Sequence, residues 1–273
     1  MFSGMDSHFP HQISGGGSAR ASRPALDAPR LSADRGGISR RTSKKNEDTP
    51  VFVPHHPLKS SVNQPLPIVA TKPYGFSFTA ASLRPELLLI VAERFLQTSS
   101  WEKTKESVLA ANELQCRTAT SAQRMERELR SRLQTLSHRQ LELLVESGAD
   151  IRISLAWLAA VKHSCFLFDF AADALRPKIE QHDHVLRESD YRRFIEGKMP
   201  SHPELMKLSE STSGKVRRVL FAMLREAGIL SKGDGIGSIQ RPVIPLDVEI
   251  SIRSENPAWL AAYLVPGSEI QKH

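Results

Sequence analysis

Residues 118–137, TATSAQRMERELRSRLQTLS, decide how this chain reads. Advancing about 100° per residue, Ala122, Met125, Leu129, Leu133 and Leu136 fall on one side, the three-and-four spacing of a helix packed on a core. Thr120, Gln123, Arg124, Arg127, Arg130, Ser131 and Gln134 lie opposite, over about a third of the circumference. No carboxylate stands among them, and Glu126 and Glu128 fall at the two margins. An ordinary solvated face mixes signs, because i,i+4 pairs of opposite charge support the helix. The outer stripe therefore reads as purely donor and cationic.

Around this helix the sequence predicts an all-α globular fold. From about residue 82 onward, helical periodicity dominates. One helix is expected over Arg84–Gln97, entered through Pro85, and a second from Ser100 to about Asn112, with Trp101, Val108, Leu109 and Ala111 available for packing. After the break ELQCRTA comes the arginine helix, with Thr120 and Gln123 spaced as a capping box. Ser137 and Gln140 repeat that spacing before HRQLELLVES, which Gly148 closes. Residues 151–180 are the most apolar part, two central helices with Pro177 ending the second.

The pattern restarts with DYRRFIEGK. Ser201, Pro203 and Glu204 then read as a cap, first turn and box ahead of a longer helix after Ser209–Ser213, which Gly228 halts. Val216, Val219, Leu220, Met223, Leu224 and Ala227 form its apolar face, and Ser211, Lys215, Arg218 and Arg225 its outer one, with Glu226 at the edge. The stretch from 231 to 254 reads either as a short β-wing or as an extended arm.

Residues 1–72 read as a disordered basic tail, rich in Gly, Pro and Ser and without an apolar period. The tail holds ten Lys and Arg against five Asp and Glu, and so supplies +5 of the net +7. The high isoelectric point thus says little about the folded part, for which we expect an N-terminal region, 73–148, and a C-terminal region, 149–273. The longest apolar run, Leu87–Val91, is far short of the roughly 20 residues of a membrane span. No secretory or organellar leader pattern is evident, and two cysteines, Cys116 and Cys165, suit a reducing compartment, so the expected setting is the cytoplasm, away from membranes. A monomer is the simplest expectation.

Catalytic constellations are scarce, and neither an enzyme nor a cofactor is expected. The HDH at 182–184 sits in a polar connector, where solvation is the plain reading and a metal the alternative. GDGIGS at 233–238 lacks the strand before and the Lys-Ser or Lys-Thr helix after that a phosphate loop requires. Cys116, at the entrance to the arginine helix, has no evident base beside it.

A short helix, a break and a helix with a cationic exterior occur twice. This is how helix-turn-helix elements are built, and a helix of that kind fits the DNA major groove, where arginine can pair with guanine or reach phosphate. The contacts expected are Thr120, Gln123, Arg124, Arg127, Arg130 and Gln134, with Lys215, Arg218 and Arg225 as a second set. The bland alternative is a solvated arginine face. An RNA-binding helical bundle of antiterminator type and a scaffold that docks an acidic partner are the competing functional classes.

The segments WEKTKESVLAANELQCRTATSAQRMERELRSRLQTLS, SLAWLAAVKHSCFLFDFAADALRPK and HPELMKLSESTSGKVRRVLFAMLREAGIL together resemble the BrxA family, a core component of bacterial BREX phage-defence systems. The likeness spans about residues 74–235 and fades beyond about 240. It implies an all-α protein with two helix-turn-helix elements, double-stranded DNA and other BREX subunits as partners, and no recognised enzymatic activity. By the same likeness the two recognition helices correspond to Thr120–Gln134 and Ser213–Ala227.

Overall fold

A computed structural model describes residues 72–271; the disordered tail expected over 1–72 lies, Lys72 apart, outside the described residues. The helices are α1 Pro85–Thr98, α2 Trp101–Ala110, α3 Ala119–Leu133, α4 His138–Glu146, α5 Ala149–His163, α6 Cys165–Asp169, α7 Arg176–Glu180, α8 Glu188–Lys198, α9 Glu210–Glu226, α10 Leu246–Glu255 and α11 Gly267–Ile270. Three short strands accompany them, β1 Val185–Leu186, β2 Leu230–Ser231 and β3 Gly237–Ile239. The fold is predominantly helical, as the periodicity predicts.

The local chemistry of several helix ends is what the sequence suggests. Ser100 accepts from the amide of Lys103, and Ser137 with Gln140 forms the full capping box at α4. Gly228 follows α9 at φ 70, a left-handed conformation that glycine adopts without a Cβ penalty.

Pro177 does not end a helix. The turn before it, Phe170–Leu175, is wound as a π-helix, and the rod runs on to Glu180. A proline removes one helical donor and crowds the carbonyl four residues back; widening the preceding turn relieves both. The first expected cap for the later helices also shifts: His202, not Ser201, precedes a 3-10 turn at Pro203–Lys207, and Ser209 caps α9 by accepting from Thr212.

α5 is the central element, with every residue from Ser154 to Val161 buried. Trp157 donates its indole N–H to the carbonyl of Ala262 at 3.0 Å, and the Tyr263 hydroxyl donates to the carbonyl of Ser154 at 2.8 Å. These bonds lock the 3-10 segment Pro257–Tyr263 onto α5. Among the described residues no single helix is long and apolar enough to cross a membrane, and the two apolar central rods meet at 110°.

The wing alternative for the stretch after 230 holds for its first part. β2 and β3 form an antiparallel hairpin, and β1 pairs on the other side of β3, in the order β1-β3-β2. Gly235 at the hairpin tip has φ 65, and a Cβ there would lie 2.6 Å from the Leu186 carbonyl oxygen, so the tight approach to β1 requires glycine. Beyond the wing, residues 246–255 are helical, where the sequence reading gave wing or arm. The weak alternation there came from a helix flanked by prolines with an apolar residue on both faces.

Arg132 has the most demanding environment. Its side chain is fully buried, bonded through Nε to Glu128 at 2.8 Å, and donates to the carbonyls of Ser82 (2.7 Å), Ala81 (2.9 Å) and Phe78 (3.4 Å). Burial pulls its pKa below the ordinary arginine value, and Glu128 opposes that shift. Replacing Arg132 by Met leaves a buried carboxylate and the Ala81 and Ser82 carbonyls without donors, a loss of about 3–5 kcal/mol. A plain buried ion pair tolerates joint apolar replacement. Here the carbonyls remain unserved, so Arg132→Met/Glu128→Leu is also expected to melt well below the parent, by on the order of 10 °C. Recovery of the parent melting temperature in the double variant would show that the carbonyl bonds are dispensable.

Candidate nucleic-acid interface

The first cationic helix is presented by a compact break. Between α2 and α3, Asn112 and Gln115 adopt left-handed backbone conformations, φ 46 and 51. The Asn112 side chain closes the loop, accepting from the Cys116 amide at 3.1 Å and donating to the Cys116 carbonyl at 3.3 Å. Leu114 is buried between these two residues. Thr118 then caps α3, its hydroxyl oxygen accepting from the Ser121 amide at 3.2 Å. The cap therefore falls two residues earlier than the Thr120 and Gln123 spacing suggested, and both of those side chains stand exposed in the first helical turns.

Along α3 the arginines have three different fates. Arg124 and Arg127 are exposed and have no hydrogen-bond or ion-pair partner among the described residues. Arg130 is half-buried and held by Glu126 at 2.7 Å, its side chain 19% exposed and that of Glu126 only 1%. Arg132 is structural. The expectation that Glu126 and Glu128 are marginal, and that the outer stripe is unopposed, is corrected here: both acids are buried, and Arg130 is neutralised. α1, α2 and α5 pack around α3 over more of its circumference than its apolar stripe alone indicates, so the margin positions become interior and carry i,i+4 pairs. Gln134, the C-cap, is exposed.

The second set sits on α9 beside the wing. Arg218 is exposed and has no recorded partner; Lys215 is half-buried. Arg225 donates to the carbonyl of Ile236 at 3.1 Å and so ties α9 to the wing. Arg217, which the sequence reading left out, pairs with Glu188 on α8 and lies over the Phe221 and Tyr191 rings at 5.2 and 6.0 Å. A hollow of ≈ 830 Å³ runs between α9 and the wing, lined by Arg217, Arg218, Arg225, Gly235 and Ile236 among others. Lys232, exposed on the wing loop, joins these cations; only the hairpin reading of residues 230–239 could have pointed to it. Glu226 does not oppose them, since its carboxylate accepts from the Leu83 amide at 2.7 Å.

The HDH motif leads into β1. Asp183 pairs with Lys178 and Arg187 and accepts from the Val185 amide, and these partners hold its pKa below the usual carboxylate range. His182 is exposed, and the His184 ring contacts the Ile239 carbonyl. Among the described residues no group of three His, Cys, Asp or Glu side chains is placed to hold a metal ion.

The chain and its fold have relatives. The BrxA family model matches residues 72–256. The chain belongs to the BrxA family. This is the family of BREX systems that the three sequence segments resemble. A BREX protein BrxA from Escherichia coli O9:H4 (strain HS) is 27% identical over 139 residues, 51% of this chain and 65% of that protein. Those from Bacillus cereus (strain H3081.97) and Paramagnetospirillum magneticum (strain ATCC 700264 / AMB-1) are each 22% identical, over 56% and 58% of this chain and 76% and 79% of theirs. The alignment thus spans just under two thirds of the Escherichia coli relative. The crystal structure of an uncharacterized protein from Magnetospirillum magneticum superposes with a TM-score of 0.62 at 19% identity, covering 71% of this chain and 98% of that one, which shows the shared fold.

The distinction among the α3 arginines is testable by stability alone. Arg130→Ala leaves the Glu126 carboxylate buried without its partner and is expected to cost about 1–3 kcal/mol. Arg124→Ala and Arg127→Ala remove exposed side chains and should stay within about 0.5 kcal/mol of the parent. Denaturant titration of the three variants measures the difference; equal losses at all three positions would contradict the assignment.

Proposed function

We propose that the chain is a non-enzymatic component of a BREX phage-defence system that binds double-stranded DNA and works with other BREX subunits. The observation that carries the DNA reading is the pair Arg124 and Arg127: exposed, without partners among the described residues, about one turn apart in the first and middle turns of a helix that follows a short helix and a tight break. The N-terminal part of a recognition helix is the part that reaches base edges and flanking phosphates in helix-turn-helix docking. Thr120 and Gln123 beside them add hydrogen-bonding groups without negative charge.

The surroundings of α9 support the same reading. The order β1, α8, α9, β2, β3, with β3 paired between β1 and β2, is that of a winged helix-turn-helix, with α9 in the recognition position and the Lys232 loop as wing. Arg218 and Lys232 are exposed cations of this second site without partners among the described residues. Lys215, half-buried, and Arg225, tied to Ile236, act at shorter reach, and Arg130 acts through α3 stability and not through phosphate. Membership in the BrxA family supports the BREX assignment.

The test is a salt-titrated duplex-DNA shift. Each lost phosphate contact flattens the log–log salt dependence by about one unit, so Arg124→Ala/Arg127→Ala should flatten it by about two, whereas Arg130→Ala should leave it unchanged. An unaltered slope in the double variant removes α3 from the interface, and stronger competition by an RNA hairpin than by duplex DNA would favour an RNA partner instead.

A further inference from the structure

Four large apolar side chains are exposed among the described residues, and three of them stand within one short stretch: Val243 at 92%, Leu246 at 71% and Ile250 at 57%. Leu246 and Ile250 lie one turn apart on α10, whose opposite face buries Val248 and Ile252. A helix apolar on both sides is one meant to be covered on both sides. Before it, residues Arg241 to Ile244 make no main-chain hydrogen bond among the described residues, so the N–H groups of Arg241, Val243 and Ile244 and all four carbonyls are open for pairing.

The stretch is flanked by hollows that continue it on both sides. One, ≈ 1030 Å³, has Ile151, Ile153 and Trp157 of α5 along one wall and Pro242 and Val243 along the other. A second, ≈ 320 Å³, lies between α4 and α10 with Leu143 and Ile250 in it. The charged lining of these hollows and of a third, ≈ 350 Å³, beside Val243 is Asp150, Glu226, Asp247, Glu249 and Glu255 against Arg139 and Arg241. Both arginines already have carboxylate partners, Glu142 and Glu269, as Glu249 and Glu255 have Arg253 and Lys162; among the described residues Asp150 and Asp247 have none, so the unpaired charge here is negative.

We infer that residues 241–250 and their flanking hollows form a docking site for a protein segment that is apolar and positively charged, supplied by another subunit of the defence system. The charge selects this occupant. Phosphate would be repelled, so the surface is not an extension of the DNA site. A second copy pairing through the same patch would oppose like charges across a two-fold axis. An apolar segment bearing Lys or Arg fills the hollows, reaches Asp150 and Asp247, and can pair with the open main chain at 241–244, as added strands do. This inference rests on the BREX assignment above but not on DNA binding, so the two fail separately.

The experiment uses the full chain and each purified BREX subunit of its own system, one at a time, by calorimetry at two salt concentrations. Val243→Ser/Ile250→Ser removes the apolar anchors without altering charge, and Asp150→Asn/Asp247→Asn removes the free carboxylates. At least one subunit should bind. The first variant should weaken that binding about tenfold or more, as loss of central anchors does. The second should weaken it at low salt and reduce its salt dependence, while both variants melt with the parent and shift duplex DNA like it. The inference is overturned if no subunit binds, if both variants bind as the parent does, or if the serine pair instead changes the mass of the chain alone in light scattering.

Discussion

One buried guanidinium organises the molecule. Arg132 leaves water completely, and four hydrogen bonds compensate, one to Glu128 and three to the carbonyls of Phe78, Ala81 and Ser82. An arginine suits this place because its planar fork offers several donors in fixed directions, which a lysine cannot match. The consequence is that the segment entering the fold is stapled to α3. The same segment is held to α9, because the next residue, Leu83, gives its amide to Glu226. Tyr74 extends the connection: its amide donates to Glu204, its hydroxyl to Asp169 at 2.6 Å, and its ring stacks on His202 at 3.6 Å. Ten residues with little structure of their own thus bind both cation-bearing helices to the core.

Acceptors of three kinds, a buried carboxylate, an exposed one and a backbone carbonyl, then sort the remaining cations. Glu126 takes Arg130, Glu188 takes Arg217, and the Ile236 carbonyl takes Arg225. Among the described residues, Arg124, Arg127 and Arg218 are left without partners. A charge already satisfied inside the fold gives little further to a phosphate, since the new bond replaces an old one of similar strength. Under the function proposed above, the interface therefore resides in fewer arginines than the helical wheels display.

How far the sequence could be read follows from this sorting. Where a helix end depends on neighbours three or four residues away, as at Ser100, Ser137 with Gln140, and Gly228, the local pattern suffices. The three-and-four spacing likewise picks out Ala122, Leu129 and Leu133 as interior, and all are buried. It fails at the margins. A wheel assigns direction but not how far neighbouring helices wrap, so Glu126, Glu128 and Arg132 look peripheral although they are interior. Pro177 misleads for a related reason: proline's local rule assumes α-helical geometry before it, and the π-wound turn removes that premise. Residues 246–255 fail differently, since apolar residues on both faces erase the period that marks a helix, and that same feature makes the α10 surface conspicuous once the fold is known.

The placement of charge on α9 connects these points. Its flank carries Arg218 and the tethered Arg225 toward the wing, while its last residues, Glu226 and Ala227, line the apolar hollow beside α5. Cations near a helix C-terminus complement its dipole, so Arg225 is stabilised where it stands, and the carboxylate beside it is withdrawn to Leu83 before it can weaken the cationic flank. Under the proposed function, separating the two signs at this end lets one fold offer a face that attracts phosphate and another that rejects it. Two DNA contacts of a few phosphates each are weak alone and gain from being joined, provided their spacing is fixed so that the second binds as an intramolecular event. Under the function proposed above, the segment from Tyr74 to Leu83 supplies that fixed spacing. The stability of Arg132 in its buried site and the affinity for DNA are then properties of the same construction: loosening the staple relaxes the relation between α3 and α9 even where every exposed arginine is intact.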